Sequence, residues 1–125
     1  MVQNFKKLAV YNEAYQLSKE VYDTIHNIKG HFRLKEQLFG STTSVPANIA
    51  EMAAMLNKNQ QAQKVRICIG ECNETEFWLD FCKDCSLIQQ EKYNNYCNRV
   101  NKIRRMLFGL IQSIKADNMQ SEFKT

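Results

Sequence analysis

Apolar residues recur at steps of three and four along most of the chain, which is the period of helices with one buried stripe. In the first stretch the stripe is Val10, Ala14, Leu17, Val21, Ile25 and Ile28, with Tyr11, Tyr15 and Tyr22 on an adjacent one. Gly30 predicts a stop there, and "KGHF" a short turn. A second helix is predicted from about Leu34 to Leu56, with Leu38, Val45, Ile49, Met52 and Leu56 facing inward. "NKNQ", from Asn57 to Gln60, ends it and supplies capping side chains for the next. The third helix, from about Gln60 to Leu87, buries Val65, Cys68, Cys72, Thr75, Leu79 and Cys82. The fourth, from about Lys92 to Lys115, has the most regular pattern, in Tyr93, Tyr96, Val100, Ile103, Leu107, Leu110 and Ile114. Short loops between long helices imply antiparallel neighbours. The expected fold is therefore all-α, an up-down-up-down antiparallel four-helix bundle over residues 1–115. The last stretch, 116–125, "ADNMQSEFKT", has no period and is expected to be a frayed C-terminal tail.

The third helix is more apolar than a bundle of four needs. Beyond its core stripe it carries Ile67, Ile69, Phe77, Trp78 and Phe81, so that from Phe77 onward apolar groups cover most of its circumference. One neighbouring face cannot bury them all, and in a small chain the second face is most economically another copy of itself. Ile67, Phe77, Trp78 and Phe81, with Met106 and Phe108 from the fourth helix, are thus the expected homo-oligomer interface.

"SVPANIAE", from Ser44 to Glu51, puts a proline inside the second helix. There a proline costs about 3 kcal/mol, because it withholds one N–H and crowds the carbonyl four residues back, here that of Thr42. Ser41, Thr42, Thr43 and Ser44 bring hydroxyls that can bond freed carbonyls. Asn48 and Glu51 share a face with Ser44 beside the apolar stripe, and Gln37 and Glu74 are within reach as partners. The expectation is a buried polar network of Gln37, Ser44, Asn48, Glu51 and Glu74 that sets helix register rather than performing chemistry.

Composition narrows the range of functions. With 125 residues, 44% hydrophobic, there is room for one domain with its own core. No charged segment followed by an apolar one opens the chain and no apolar run approaches membrane-spanning length, so no membrane association and a cytoplasmic location are expected. Five cysteines then read as reduced thiols, mainly packing groups. Cys82 and Cys85 form a C-x-x-C pair that Cys97 could approach, but structural zinc takes four ligands, and no metal site or cofactor is expected. A di-iron bundle needs Glu-x-x-His on two helices, and neither His26 nor His31 follows a glutamate by three. No phosphate loop or nucleophile motif is present, so an enzyme is not expected. The net charge of +4 and pI near 8.8 permit polyanion binding. Arg99, Lys102 and Arg105 recur every three residues with Arg104 beside them, and Lys58, Lys64 and Arg66 gather near the start of the third helix. These seven form the candidate nucleic-acid surface. The competing reading pairs the fourth helix with the acidic third, which carries Glu71, Glu74, Glu76, Asp80 and Asp84.

"LKEQLFGSTTSVPANIAEM", from Leu34 to Met52, resembles the signature of the four-helix-bundle proteins encoded in bacterial 23S rRNA intervening sequences. Leu34, Gln37, Ser44, Asn48, Ile49, Ala50 and Glu51 stand at matching positions; Gly40 and Ser41 replace the usual arginine and alanine, and Met52 the usual glycine. "FKKLAVYNEAYQL", Gly70 with Glu74, and "IRRMLFGLI" resemble the family's other helices. The resemblance implies pentameric rings of bundles. It also extends to the accessory variability proteins of diversity-generating retroelements, basic pentamers that bind reverse transcriptase and RNA; for the intervening-sequence branch it implies no established activity. The expected function is a non-enzymatic homopentameric scaffold that binds RNA or DNA through basic patches. The alternative is a protein-interaction adaptor, such as an accessory subunit of a reverse transcriptase or other mobile-element enzyme.

Overall fold

Each predicted stripe becomes the inner face of a helix. The computed structural model describes the backbone over residues 4–124 and the side chains as far as Ala116. A short 3-10 turn, Phe5–Lys7, leads into α1 (Ala9–His26), α2 (Phe32–Ala53), α3 (Lys58–Asp84) and α4 (Gln90–Lys124). α1 packs on α2 and α4, and α3 packs on the same two, so α1 and α3 lie on opposite corners of the bundle. Among the described residues there is no strand, and no helix is long and apolar enough to cross a membrane.

The core runs the length of the bundle, from Val10, Ala14, Leu17, Val21 and Ile25 of α1 to Val100, Ile103, Leu107 and Ile114 of α4. The centre is closed by Leu38, Ile49 and Met52 of α2 and by Val65, Cys68, Cys72 and Leu79 of α3, each with almost no exposed surface. Two expectations are corrected. Leu56 is 74% exposed, because α2 stops at Ala53 before the stripe reaches it. In α4 the buried position is Ile111, with Leu110 only half-buried, since the seam steps by four from Leu107.

The ends follow local chemistry. After α1, Gly30 (φ 71°) and His31 (φ 54°) are both left-handed, a conformation that glycine adopts freely, and two in succession turn the chain into α2. Asn57 caps α3, its side-chain oxygen accepting from the N–H groups of Asn59 (2.8 Å) and Gln60 (3.2 Å). At the other end α4 continues past Lys115 to Lys124, through the stretch expected to fray. No glycine or proline interrupts it there, so nothing in local backbone propensity ends the helix. The last buried side chain described is Ile114; Thr125 and the side chains of 117–124 lie outside the described residues.

Pro46 is accommodated without ending α2. A donor for the carbonyl it leaves without one comes from α1, where the single proton of the Ser18 hydroxyl is shared between Ala14 O of its own helix (2.8 Å) and the Thr42 carbonyl (3.1 Å). Thr42 and Ser41 turn their own hydroxyls back to Leu38 O, and Thr75 of α3 donates to the Ser41 hydroxyl at 3.0 Å. The buried polar cluster of the bundle is therefore Ser18, Ser41, Thr42 and Thr75, which ties together α1, α2 and α3.

Candidate interaction surfaces

The polar network expected around "SVPANIAE" is not buried. Gln37, Glu51 and Glu74 are exposed, and Ser44 and Asn48 are half-buried. Asn48 donates to Ser44 O of its own helix (2.8 Å), Glu51 pairs with Lys64 (2.9 Å), and Glu74 accepts from the Trp78 indole (3.4 Å). These positions fall on the flank of α2 and the outer face of α3, where water serves the groups that protein leaves unpaired. Asn48→Leu is accordingly expected to shift the unfolding free energy by less than about 1 kcal/mol in urea titrations. A loss above about 2 kcal/mol would assign Asn48 an essential partner.

The basic residues divide into two groups. Arg99 of α4 pairs with Glu20 of α1 at 2.6 Å, Lys102 with Glu13 of α1 at 2.9 Å, and Arg104 with Glu76 of α3 at 2.6 Å. Arg104 also donates to Asn73 (2.6 Å) and to Asn101, closing a fork between α3 and α4. With Lys64 on Glu51, four of the seven candidate cations are held by carboxylates of the same chain. Only one of those four pairs joins α4 to the acidic third helix; α1 supplies the other α4 partners. Glu13 and Glu20 are seven apart on one α1 stripe, a spacing that could have marked them in advance. Lys58, Arg66 and Arg105 make no ion pair among the described residues. Lys58 and Arg66 line a small pocket of about 230 Å³ together with Lys115.

The thiols are not gathered. Cys68, Cys72 and Cys82 are buried, Cys97 is half-buried and Cys85 exposed, so packing accounts for three of the five. Burial pushes Cys68 from 9.0 to about 12, reinforced by Cys72, and likewise raises Cys72 to about 12 and Cys82 to about 11. Among the described residues no three His, Cys, Asp or Glu side chains are placed to hold a metal ion.

Two aromatic surfaces remain. On the outer side of α3, Phe77 (54% exposed) and Phe81 (47%) flank the half-buried Trp78, with ring centroids 4.8 Å and 6.1 Å from the indole. Ile67, nearer the start of the same helix, is exposed as well. Phe108 is also exposed, one turn beyond Arg104 and thus on the α3 side of α4. Met106 is one turn beyond Lys102, on the α1 side, and half-buried against the core. The two fourth-helix residues grouped with α3 therefore face different ways.

The second surface is half visible in the sequence patterns, through the stripe of Tyr11, Tyr15 and Tyr22. Between α1 and α2 runs an apolar groove of about 660 Å³. Its walls are Tyr11, Tyr15, Tyr22 and Phe39, Phe5 closes one end, and Pro46, Ala47 and Ala50 make a shallow floor. Tyr11 stacks on Tyr15 (5.8 Å), and Tyr22 meets Phe39 (5.9 Å) and stacks on His26 (5.5 Å). The tyrosine stripe is visible in the sequence, but the groove exists only because α2 sets small residues opposite it.

Comparison places this architecture. A crystal structure of a protein of unknown function from the S23 ribosomal protein family of Bacteroides thetaiotaomicron VPI-5482 superposes with a TM-score of 0.77 at 26% identity. The match covers 82% of this chain and 98% of that one. No curated protein matches the sequence. The family model of the 23S rRNA-intervening sequence protein matches residues 6–109, which include all of α1 to α3 and most of α4. The chain belongs to the 23S rRNA-intervening sequence protein family.

Proposed function

We propose that this protein is a non-enzymatic, self-assembling scaffold, a ring of bundles whose free faces act as an adaptor for other macromolecules. The observation that carries the reading is the pair of exposed aromatic surfaces on one small bundle, one on the outer face of α3 and one between α1 and α2. Contiguous apolar surface of this kind on a soluble domain marks association sites. Five copies is the number implied by the resemblance, and a mobile-element enzyme is the class of protein client it brings. Light scattering of the purified protein tests the assembly: a mass several times 14.6 kDa is expected, and a single-chain mass would sink the reading.

Polyanion binding is the second reading, favoured by the clustering of Lys58, Arg66 and Lys115 around one pocket with no ion pair among the described residues. Three phosphate contacts per subunit would make the logarithm of duplex affinity fall by about 2.7 per tenfold rise in salt. Duplex RNA titrated across a salt series is expected to show that slope. Binding that ignores salt, or no binding at low salt, would remove this reading and leave the adaptor.

A further inference from the structure

We infer that the pocket between the start of α3 and α4 receives a phosphate monoester, the phosphorylated end of a nucleic-acid strand. The inference rests on the polyanion reading and names the group that the pocket takes.

The three cations converge rather than form a row. Lys58 and Arg66 stand on one stripe of α3 with Ala62 midway between them, and Lys115 reaches the same pocket from α4. Asn59 and Gln63 add exposed amides, and no acidic side chain lines the pocket. Against Lys64, Arg99, Lys102 and Arg104 the bundle sets carboxylates of its own. Here it sets none among the described residues, so three like charges stand together with their repulsion unrelieved. A bound anion relieves it.

The pocket is also blind. Ala62 and Ile114 belong to the buried core and close its inner side. Its volume of about 230 Å³ holds roughly eight waters at about 30 Å³ each. That is room for a phosphate group and the first atoms attached to it, not for a length of backbone. A phosphodiester carries a single charge and continues in both directions, so cations spread along an open surface match it. The row of that form, Arg99 and Lys102 on α4, is the one the chain neutralises with Glu20 and Glu13. A terminal monoester carries about 1.5 to 2 negative charges at neutral pH on three free oxygens, and the strand leaves it on one side only. Arg66 can take two of those oxygens in one fork, and the lysines reach the third and the phosphate that follows. No aromatic ring lines the pocket, so nothing there stacks on a base, and recognition ignores sequence.

A short RNA duplex prepared with either phosphate or hydroxyl at its 5′ ends tests the inference, with binding read by fluorescence anisotropy at low salt. The phosphorylated duplex is expected to bind the parent at least about tenfold more tightly. Arg66→Gln with Lys115→Gln, both at exposed positions, is expected to abolish that preference. Arg105→Gln, which removes a cation outside the pocket with no ion pair among the described residues, is expected to keep it. Circular dichroism first confirms that the variants retain the helical content of the parent. Equal affinity for the two duplexes, falling steeply with salt, would overturn the end site and leave the polyanion reading standing. A preference that survives in the pocket variant would overturn the location. A nucleoside monophosphate that competes as well as the phosphorylated duplex would overturn the assignment to a strand end, since the monoester alone would then account for the affinity. No binding of either duplex would remove the inference together with the reading beneath it.

Discussion

Ser18→Ala is expected to lower the unfolding free energy by about 1–3 kcal/mol, and most of that loss should disappear when Pro46 is also replaced by alanine. Pro46 has no N–H for the Thr42 carbonyl, and the Ser18 hydroxyl of α1, whose proton is shared with Ala14 O (2.8 Å), reaches it at 3.1 Å. Thr42 is buried, so water does not replace the missing donor, and an unsatisfied acceptor in such a place carries its full desolvation cost. Alanine at position 46 restores the N–H within α2 and makes the hydroxyl redundant. The coupling energy from urea unfolding of the parent, both single variants and the double variant is therefore expected to be about 1 kcal/mol or more. Equal costs for Ser18→Ala in both backgrounds would show that the hydroxyl is not standing in for the proline's missing donor.

Above pH 9 the fold is expected to weaken steeply, by up to about 1.4 kcal/mol per pH unit for each buried thiol. Cys68 and Cys72 are raised from 9.0 to about 12 by burial, so in the unfolded chain they lose their protons near pH 9 while in the bundle they keep them. Their contribution is complete below pH 9, declines as the unfolded thiols ionise, and is gone above about 12, where the folded thiols ionise too. Cys82 adds a smaller share, being raised to about 11. Urea midpoints measured on both sides of pH 9 should fall for the parent and flatten in a Cys68→Ala, Cys72→Ala variant. An unchanged alkaline decline in that variant would place its origin in other groups.

Much of the fold is legible in the amino-acid pattern. The stripes of α1, α3 and α4 follow from side-chain spacing, and spacing survives packing when one face is dry. The Asn57 cap is legible for a similar reason, since its chemistry involves only the next three residues. Contacts between distant segments are not. Arg99 and Lys102 look like an open basic row along α4 until α1 brings Glu20 and Glu13 against them. The polar residues of "SVPANIAE" adjoin the apolar stripe and so suggest burial, but the α2 seam is narrow enough to leave Glu51 in water. The hydroxyl that serves Pro46 comes from Ser18, 24 residues away from the carbonyl it bonds, and nothing local marks it. On the candidate surfaces, the excess of aromatics in α3 points outward as expected at Phe77 and Phe81, whereas the α1/α2 groove requires two helices side by side.

The same contrast bears on function. Four of the seven cations that suggest nucleic-acid binding are engaged within the chain, while the aromatic surfaces have no partner among its described residues. Surface ion pairs contribute only about 0–1 kcal/mol each, so those cations are not locked away from a polyanion by energy alone. Releasing them does oppose binding, however, and the three cations around the Lys58 pocket are left as the readiest contacts.

The most direct test of the central claim is the absolute mass of the purified parent protein by light scattering over a dilution series. The scaffold account predicts a discrete multiple of 14.6 kDa that persists on dilution and in high salt, since contacts between apolar surfaces are weakly screened. A species of 14.6 kDa at every concentration would contradict it.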